Sequence, residues 1–256
     1  GAGLVHAVAP ADTVAALVQA EPDLQTLVHP FDQDPAPPLR ELIARADAVV
    51  VGPGLGRAPG RREWIAAIVQ GAKSAVLDAD ALVAFQGAVE ALRRLAEGRM
   101  VVLTPHPGEF RALFPDLASQ RELDPWGAAA AAAERAGAVV LLKGVPTVVA
   151  APGRPGLTVA SGNPGLATGG SGDVLSGIIG SALARGLDPR TAAALGAHAL
   201  GRAADGAARR VSARSLRPMD VVAALPDVWR EWELLRRSPP QPRAPVLLEL
   251  LRPQTS

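Results

Sequence analysis

Short apolar runs alternate with stretches of helical spacing along most of this chain. That alternation is the pattern of strand–helix–strand units, which fold into a mostly parallel sheet with helices on its faces. Leu4–Val8 reads as a strand in a buried segment, followed by a helix from about Asp12 to Ala20 that Asp12 can cap. Beyond the prolines at 35–38 come a helix, a buried strand over Asp47–Val51 and a glycine turn at Gly52. Trp64, Ile65, Ile68 and Val69 mark a helix over 61–71. Ser74–Leu77, Met100–Leu103 and Val139–Leu142 are the next strands, with helices near 87–97 and 126–136 between them. The second of these is so rich in alanine that propensity rather than packing defines it. Thr147–Ala150 and Leu157–Ala160 read as an antiparallel pair joined by a Pro/Gly turn at 152–156. A glycine-rich loop over 161–172 leads into three helices, at about 173–185, 190–208 and 219–237.

A length of 256 residues and a hydrophobic share of 48% suit one large domain with a sizeable core. No repeat or linker divides it, so residues 1–237 are expected to form the domain and the proline-rich 238–256 a loose tail. A net charge of +1 gives no broad attraction to nucleic acid or acidic membrane. With no cysteine, thiolate chemistry and disulfides are excluded, and the four histidines (His6, His29, His106, His198) lack metal-ligand spacing. No apolar run reaches the roughly 18 residues of a membrane span, and no signal peptide opens the chain, so a cytoplasmic setting is expected. The first residues, Gly1-Ala2-Gly3-Leu4-Val5, carry no initiator Met, and a fragment of a longer protein is expected.

Four strands end in polar or glycine-rich turns: Gly52-Pro53-Gly54-Leu55-Gly56, Asp78-Ala79-Asp80, Thr104–Glu109 and Lys143–Thr147. Open α/β sheets bind ligands outside the carboxyl ends of their strands. The segment from Gly162 to Gly177 is the most informative, because Gly169, Gly170 and Gly172 stop where an apolar helix begins. Glycine lets backbone amides approach an anion, and a helix amino terminus adds free N–H groups and positive dipole. Asp173 then lies in the first helical turn, where a carboxylate can take the proton of a hydroxyl attacking phosphorus, and the dipole favours its ionised form. The plainer alternative is a glycine turn with Asp173 as a helix cap. His198 on its alanine-rich helix reads as core, and Trp229 with Trp232 as packing.

Gly162–Gly177 resembles the signature of the NAD(P)H-hydrate dehydratase family of the ribokinase-like superfamily. The turns match in order: Gly52–Gly56, Leu77–Leu82, Leu103–Glu109, and Leu142-Lys143-Gly144 with Thr147. The resemblance covers about residues 1–237 and implies a three-layer α/β/α sandwich with a mostly parallel central sheet. It implies that Lys143, Gly144, Val145, Pro146, Thr147, Gly169, Gly170, Ser171 and Gly172 hold ADP or ATP. Gly54, Gly56, His106 and Asp173 then face the substrate, the hydrated nicotinamide nucleotide NADHX or NADPHX. Lys143 is one of two lysines and can neutralise phosphate, or it is a solvated strand end. His106, between two prolines, can bond substrate or simply pack in its loop. Gly54 and Gly56 allow close approach or only turn the chain. Asp78 and Asp80 can position Mg²⁺ through water, or cap the next helix; no direct metal ligand is expected.

The implied reaction has the ring hydroxyl accept the terminal phosphoryl of ADP, with Asp173 as base, before phosphate is eliminated. A homo-oligomer, a tetramer in the family, is also implied, together with a possible epimerase domain or partner. Two departures stand out. Val83 replaces the family's usual Asn, and the family's opening strand and small-residue substrate loop are absent ahead of Gly1, so the sheet is expected to lack its N-terminal strand and expose an edge. Two other readings remain: a ribokinase-like vitamin kinase, and a non-catalytic nucleotide-binding module.

Overall fold

In the computed structural model, which describes residues 2–237, the chain opens with β1 (His6–Ala9), α1 (Ala11–Ala20), β2 (Gln25–Val28) and α2 (Pro37–Arg45). There follow β3 (Val49–Val51), α3 (Arg61–Gly71), β4 (Ser74–Leu77), α4 (Asp80–Ala84), α5 (Val89–Ala96) and β5 (Met100–Leu103). Next come α6 (Pro107–Leu113), α7 (Ala118–Leu123), α8 (Pro125–Ala136) and β6 (Val139–Leu142). The chain continues through β7 (Thr147–Ala151), β8 (Arg154–Val159), α9 (Ser171–Ala184), α10 (Pro189–Val211) and α11 (Pro218–Arg237). β3, β4, β5 and β6 are parallel neighbours in chain order, and the β7–β8 hairpin extends the sheet antiparallel beyond β6.

The two-residue period of the strands creates the layers. Leu77, Leu103, Val140 and Val148 face one core with α2, α3, α5, α6 and α8. Val76, Val102, Leu141 and Val149 face the other with α9, α10 and α11. The result is an α/β/α sandwich. Parallel pairing puts the carboxyl ends of β3 to β6 on one rim. β7 starts at that rim and β8 returns to it, delivering the 161–170 loop and the amino end of α9 to the same place.

Several local expectations need correction. Leu4 and Val5 are not buried: they are exposed, and β1 begins at His6. β1 pairs with β2, a strand its mixed sequence does not announce, in a separate two-stranded parallel sheet. Asp12 does not cap α1, whose cap position is Pro10 with no side-chain hydrogen bond. Helix α8 is defined by packing as well as propensity, since Ala128, Ala129, Ala132, Ala133 and Ala136 form one fully buried stripe. The hairpin turn is tighter than 152–156, and His198 is exposed rather than core. Beyond β3 no further strand pairs among the described residues, and Val50 on it is exposed. The 238–256 tail lies outside the described residues.

Gly52 joins β3 to its rim turn at φ +129°, and a β-carbon there would stand 1.7 Å from the Asp78 carbonyl oxygen. Only glycine allows the two strand ends to approach so closely. Gly52→Ala is expected to destabilise the domain by about 3–5 kcal/mol, combining backbone strain with displacement of β4. Gly54→Ala, with open space at its β-carbon position, should cost only the left-handed penalty of about 1–2 kcal/mol. Urea denaturation of both variants checks the contrast.

Candidate active site

At the end of β4, the backbone passes through Ala79 at φ +49°, a conformation rare for residues with a β-carbon. The two flanking carboxylates diverge. Asp78 turns inward, 1% exposed, while Asp80 turns to the β3 side, accepting from the Gly56 amide and Arg57 Nε, both at 2.9 Å. A buried carboxylate requires partners, and Asp78 has two: Lys143 Nζ at 2.8 Å and Ser176 Oγ at 2.8 Å. Lys143 comes from the end of β6 and Ser176 from the second turn of α9, so one carboxylate ties three elements at the rim.

Gly172 lies against this pair. A β-carbon on it would be 3.0 Å from Lys143 Nζ and 3.4 Å from Asp78 Oδ2, so the glycine leaves the ammonium uncovered at the amino end of α9. Asp173 follows it, solvent-accessible on the first turn. Loss of hydration among surrounding protein raises its carboxyl above the usual carboxylate value, and the Asp78 charge raises it further, against an opposing pull from Lys143. The direction of this shift is opposite to the lowering expected of the helix dipole. Ser171 Oγ is buried beside it with no hydrogen-bond partner.

The 162–165 loop is fixed from α10. Asp205 accepts from the Gly162 amide at 3.1 Å and from Asn163 Nδ2 at 3.0 Å, while Asn163 Oδ1 accepts from the Gly165 amide at 3.0 Å. His198 also faces this loop, its Nδ1 lying 3.1 Å from Ser161 Oγ and its ring stacked on Trp232.

His106 caps α6. Its Nδ1 accepts from the Gly108 and Glu109 amides at 3.0 and 3.3 Å, and Glu109 Oε2 accepts from the His106 amide at 2.8 Å. Neutral His106 therefore carries its proton on Nε2, 3.3 Å from Glu109 Oε1. Rather than packing in its loop, the ring is 55% exposed. The Lys143 amide donates to the Pro105 carbonyl at 2.9 Å, fastening this turn to the end of β6.

Two cavities open on the rim. One, of about 270 Å³, is walled by Lys143, Gly144, Val145 and Pro146, with Arg121 and Glu122 across from them. Thr147 closes the same turn by donating to the Gly144 carbonyl at 3.2 Å. The other, of about 380 Å³, lies beside Gly56 and Asp80, and Val83 is on its wall. Gly169 and Gly170 are exposed at the mouth of α9, and Gly54 at the β3 turn.

Among the described residues, no group of three or more His, Asp or Glu side chains is placed to hold a metal ion. Asp78 and Asp80 both have their oxygens engaged, whereas Asp173 and Ser171 Oγ have no hydrogen-bond partner among the described residues. That donor set fits a cation carried mainly by substrate phosphate and water.

Residues 1–227 match the NAD(P)H-hydrate dehydratase family. The chain belongs to it. A bifunctional NAD(P)H-hydrate repair enzyme Nnr of Moorella thermoacetica is 38% identical over 240 residues, covering 91% of this chain and 45% of that protein. An ADP-dependent (S)-NAD(P)H-hydrate dehydratase of Neisseria meningitidis is 44% identical over 162 residues, 62% of this chain and 54% of that one. The chain thus spans about half the length of these curated relatives. Among solved structures, the ADP/ATP-dependent NAD(P)H-hydrate dehydratase of Bacillus subtilis, co-crystallised with ATP and Mg²⁺, superposes with TM-score 0.72 at 26% identity. That match covers 88% of this chain and 78% of the Bacillus one. A ribokinase-like superfamily protein of Enterococcus faecalis superposes with TM-score 0.76 at 24% identity, covering 91% of this chain and 78% of that one, so the fold is ribokinase-like; among the described residues no helix is long and apolar enough to cross a membrane.

Asp78 and Lys143 form the charge environment of Asp173, so its titration reports on them. Asp78→Asn removes a like charge and should move the Asp173 midpoint to lower pH. Lys143→Gln removes an opposite charge and should move it to higher pH. Carboxyl-carbon NMR titration of the three proteins checks both directions.

Proposed function

We propose that residues 1–237 form one domain that dehydrates NADHX and NADPHX to NADH and NADPH, with ADP as phosphoryl donor and AMP and phosphate as products. The observation that carries this reading is the placement of Asp173, an accessible carboxylate, next to a glycine that leaves the Lys143 ammonium bare at a helix amino terminus. Together these are a phosphate cradle and a base on adjacent residues. The named activities of the relatives supply the substrate class.

Hydroxide is a poor leaving group, so the ring hydroxyl must first be converted into a phosphate ester. Its oxygen attacks the β-phosphorus of ADP, Asp173 takes its proton, and the bond to the α–β bridging oxygen breaks to release AMP. The raised carboxyl of Asp173 makes it a better proton acceptor than an ordinary aspartate. Lys143 and the Gly169–Gly172 backbone stabilise charge on the transferring group without moving. The ester then loses phosphate as the neighbouring ring carbon gives up a proton, and the dihydropyridine conjugation returns. Ser171 and Asp173 would help hold Mg²⁺, which would supply charge neutralisation there.

Lys143 to Pro146, which wall their cavity, and Thr147, which closes the same turn, suit the adenine nucleotide, leaving the Gly54–Gly56 turn and His106 Nε2 for the hydrated nicotinamide. Asp78 belongs to this account as the anchor of Lys143, not as a metal ligand. A companion epimerase activity, a cytoplasmic setting and a homo-oligomeric assembly complete the proposal.

Incubation with ADP, Mg²⁺ and NADHX should restore NADH absorbance with release of AMP. A stable phosphorylated product without NADH would instead indicate a kinase. Asp173→Asn should lower turnover by about 10²–10⁴-fold while ADP affinity, measured by calorimetry, stays within roughly threefold. A variant that keeps near-full rate would remove Asp173 from the base role.

A further inference from the structure

The cavity beside Gly56 is not used by the phosphoryl-transfer machinery. It opens at the amino end of α3, and its walls carry Arg57, Arg61 and Arg62 against Glu63 and Asp80. Asp80 and Arg57 neutralise each other, and Arg61 and Arg62 against Glu63 leave the walls a net positive charge.

Three features of this cavity favour an anion. First, α3 begins after Gly60 with no side-chain cap, and the Arg62 and Glu63 amides have no acceptor among the described residues. Free first-turn amides and the helix dipole favour negative charge there.

Second, Arg61 is 9% exposed, and its buried Nε has no hydrogen-bond partner among the described residues. An unsatisfied buried guanidinium nitrogen is costly unless something meets it.

Third, Arg61 is held ready. Its guanidinium lies 5.7 Å over the Phe31 ring, its Nη1 donates to the Phe31 carbonyl, and Phe31 packs edge-on against Trp64 at 5.2 Å. A side chain already fixed by its neighbours loses little freedom when it binds a ligand.

The cavity is also joined to the β3 turn. Arg61 Nη2 stands 4.0 Å from the β-carbon position of Gly56. A nicotinamide ring at that turn would have its linked phosphates only a ribose away. Arginine forks suit phosphate oxygens, and about 380 Å³ falls within the range of small-ligand pockets.

We propose that the cavity walled by Arg57, Arg61 and Arg62 is the subsite for the diphosphate of the hydrated dinucleotide. The assignment rests on the dehydratase reading for the identity of the ligand, and on the cavity alone for its chemical class. Because the diphosphate is common to NADHX and NADPHX, the subsite fastens both equally.

The test uses Arg57→Gln/Arg62→Gln, which changes two exposed side chains, and Arg61→Lys, which keeps the charge but loses the fork. Thermal midpoints identify any variant that fails to fold. KM for NADHX and NADPHX should rise together by about tenfold or more, the loss expected of charged hydrogen bonds, with kcat changing far less. ADP affinity should stay within about twofold. Unchanged KM values, a rise confined to NADPHX, or weakened ADP binding would each overturn the assignment. Calorimetric titration with inorganic pyrophosphate, in saturating ADP without Mg²⁺, separates this claim from the dehydratase reading. Binding by the parent protein that is lost in the double variant supports the subsite even if NADHX is not turned over, and equal binding by both refutes it.

Discussion

A buried ion pair between Asp78 and Lys143 fixes the arrangement of the rim. Removing two charges from water costs several kcal/mol per ion, and attraction within the pair recovers this only when the remaining lone pairs are also met. Ser176 meets the second Asp78 oxygen, so the pair is satisfied on the protein side. Lys143 keeps part of its surface free, its side chain being 22% exposed against 2% for Asp78. Apolar residues would fill such a place at less cost. What the pair provides is a cation at a defined point outside the sheet, with a glycine beside it that leaves part of it open.

The parallel sheet delivers these groups to one place. β4 brings Asp78, β5 leads to the His106 cap, β6 brings Lys143, and the returning β8 brings the glycine loop with Asp173. None of them is a neighbour in sequence. Their convergence depends on rim contacts such as the Lys143 amide on the Pro105 carbonyl and on the close approach at Gly52. The β3 turn, through Gly56 and Asp80, connects this centre to the arginine cavity. Substrate chemistry and substrate anchoring thus lie on opposite sides of Ala79, whose unusual backbone sends one carboxylate to each.

Much of this was legible in the chain. Ser74–Leu77, Met100–Leu103 and Val139–Leu142 match their strands because branched apolar runs between clear breakers admit one reading. The Gly162–Gly177 string and the four rim turns carried the family. Other elements left weak signals. β2 is mixed in polarity because it is a half-exposed strand in a two-stranded sheet. The α8 alanines looked featureless, although their spacing already describes a buried stripe. Ser176 lies one helical turn from Asp173 and was discoverable from that spacing. The Glu109 partner of His106 carries the three-residue offset of a capping box, but with histidine in the cap place of serine or threonine. Arg61 gave no sign, since its burial comes from Phe31 and Trp64, which only the tertiary structure brings together.

The central claim is that the ring hydroxyl oxygen leaves as part of phosphate, after transfer onto phosphorus beside Asp173. NADHX prepared in heavy-oxygen water carries the label in that hydroxyl. After turnover with unlabelled ADP in ordinary water, mass spectrometry of the inorganic phosphate should find one labelled oxygen per NADH formed. Unlabelled phosphate, with the heavy oxygen recovered in water, would mean that the hydroxyl departs directly and that ADP cleavage is a separate event, contradicting the account.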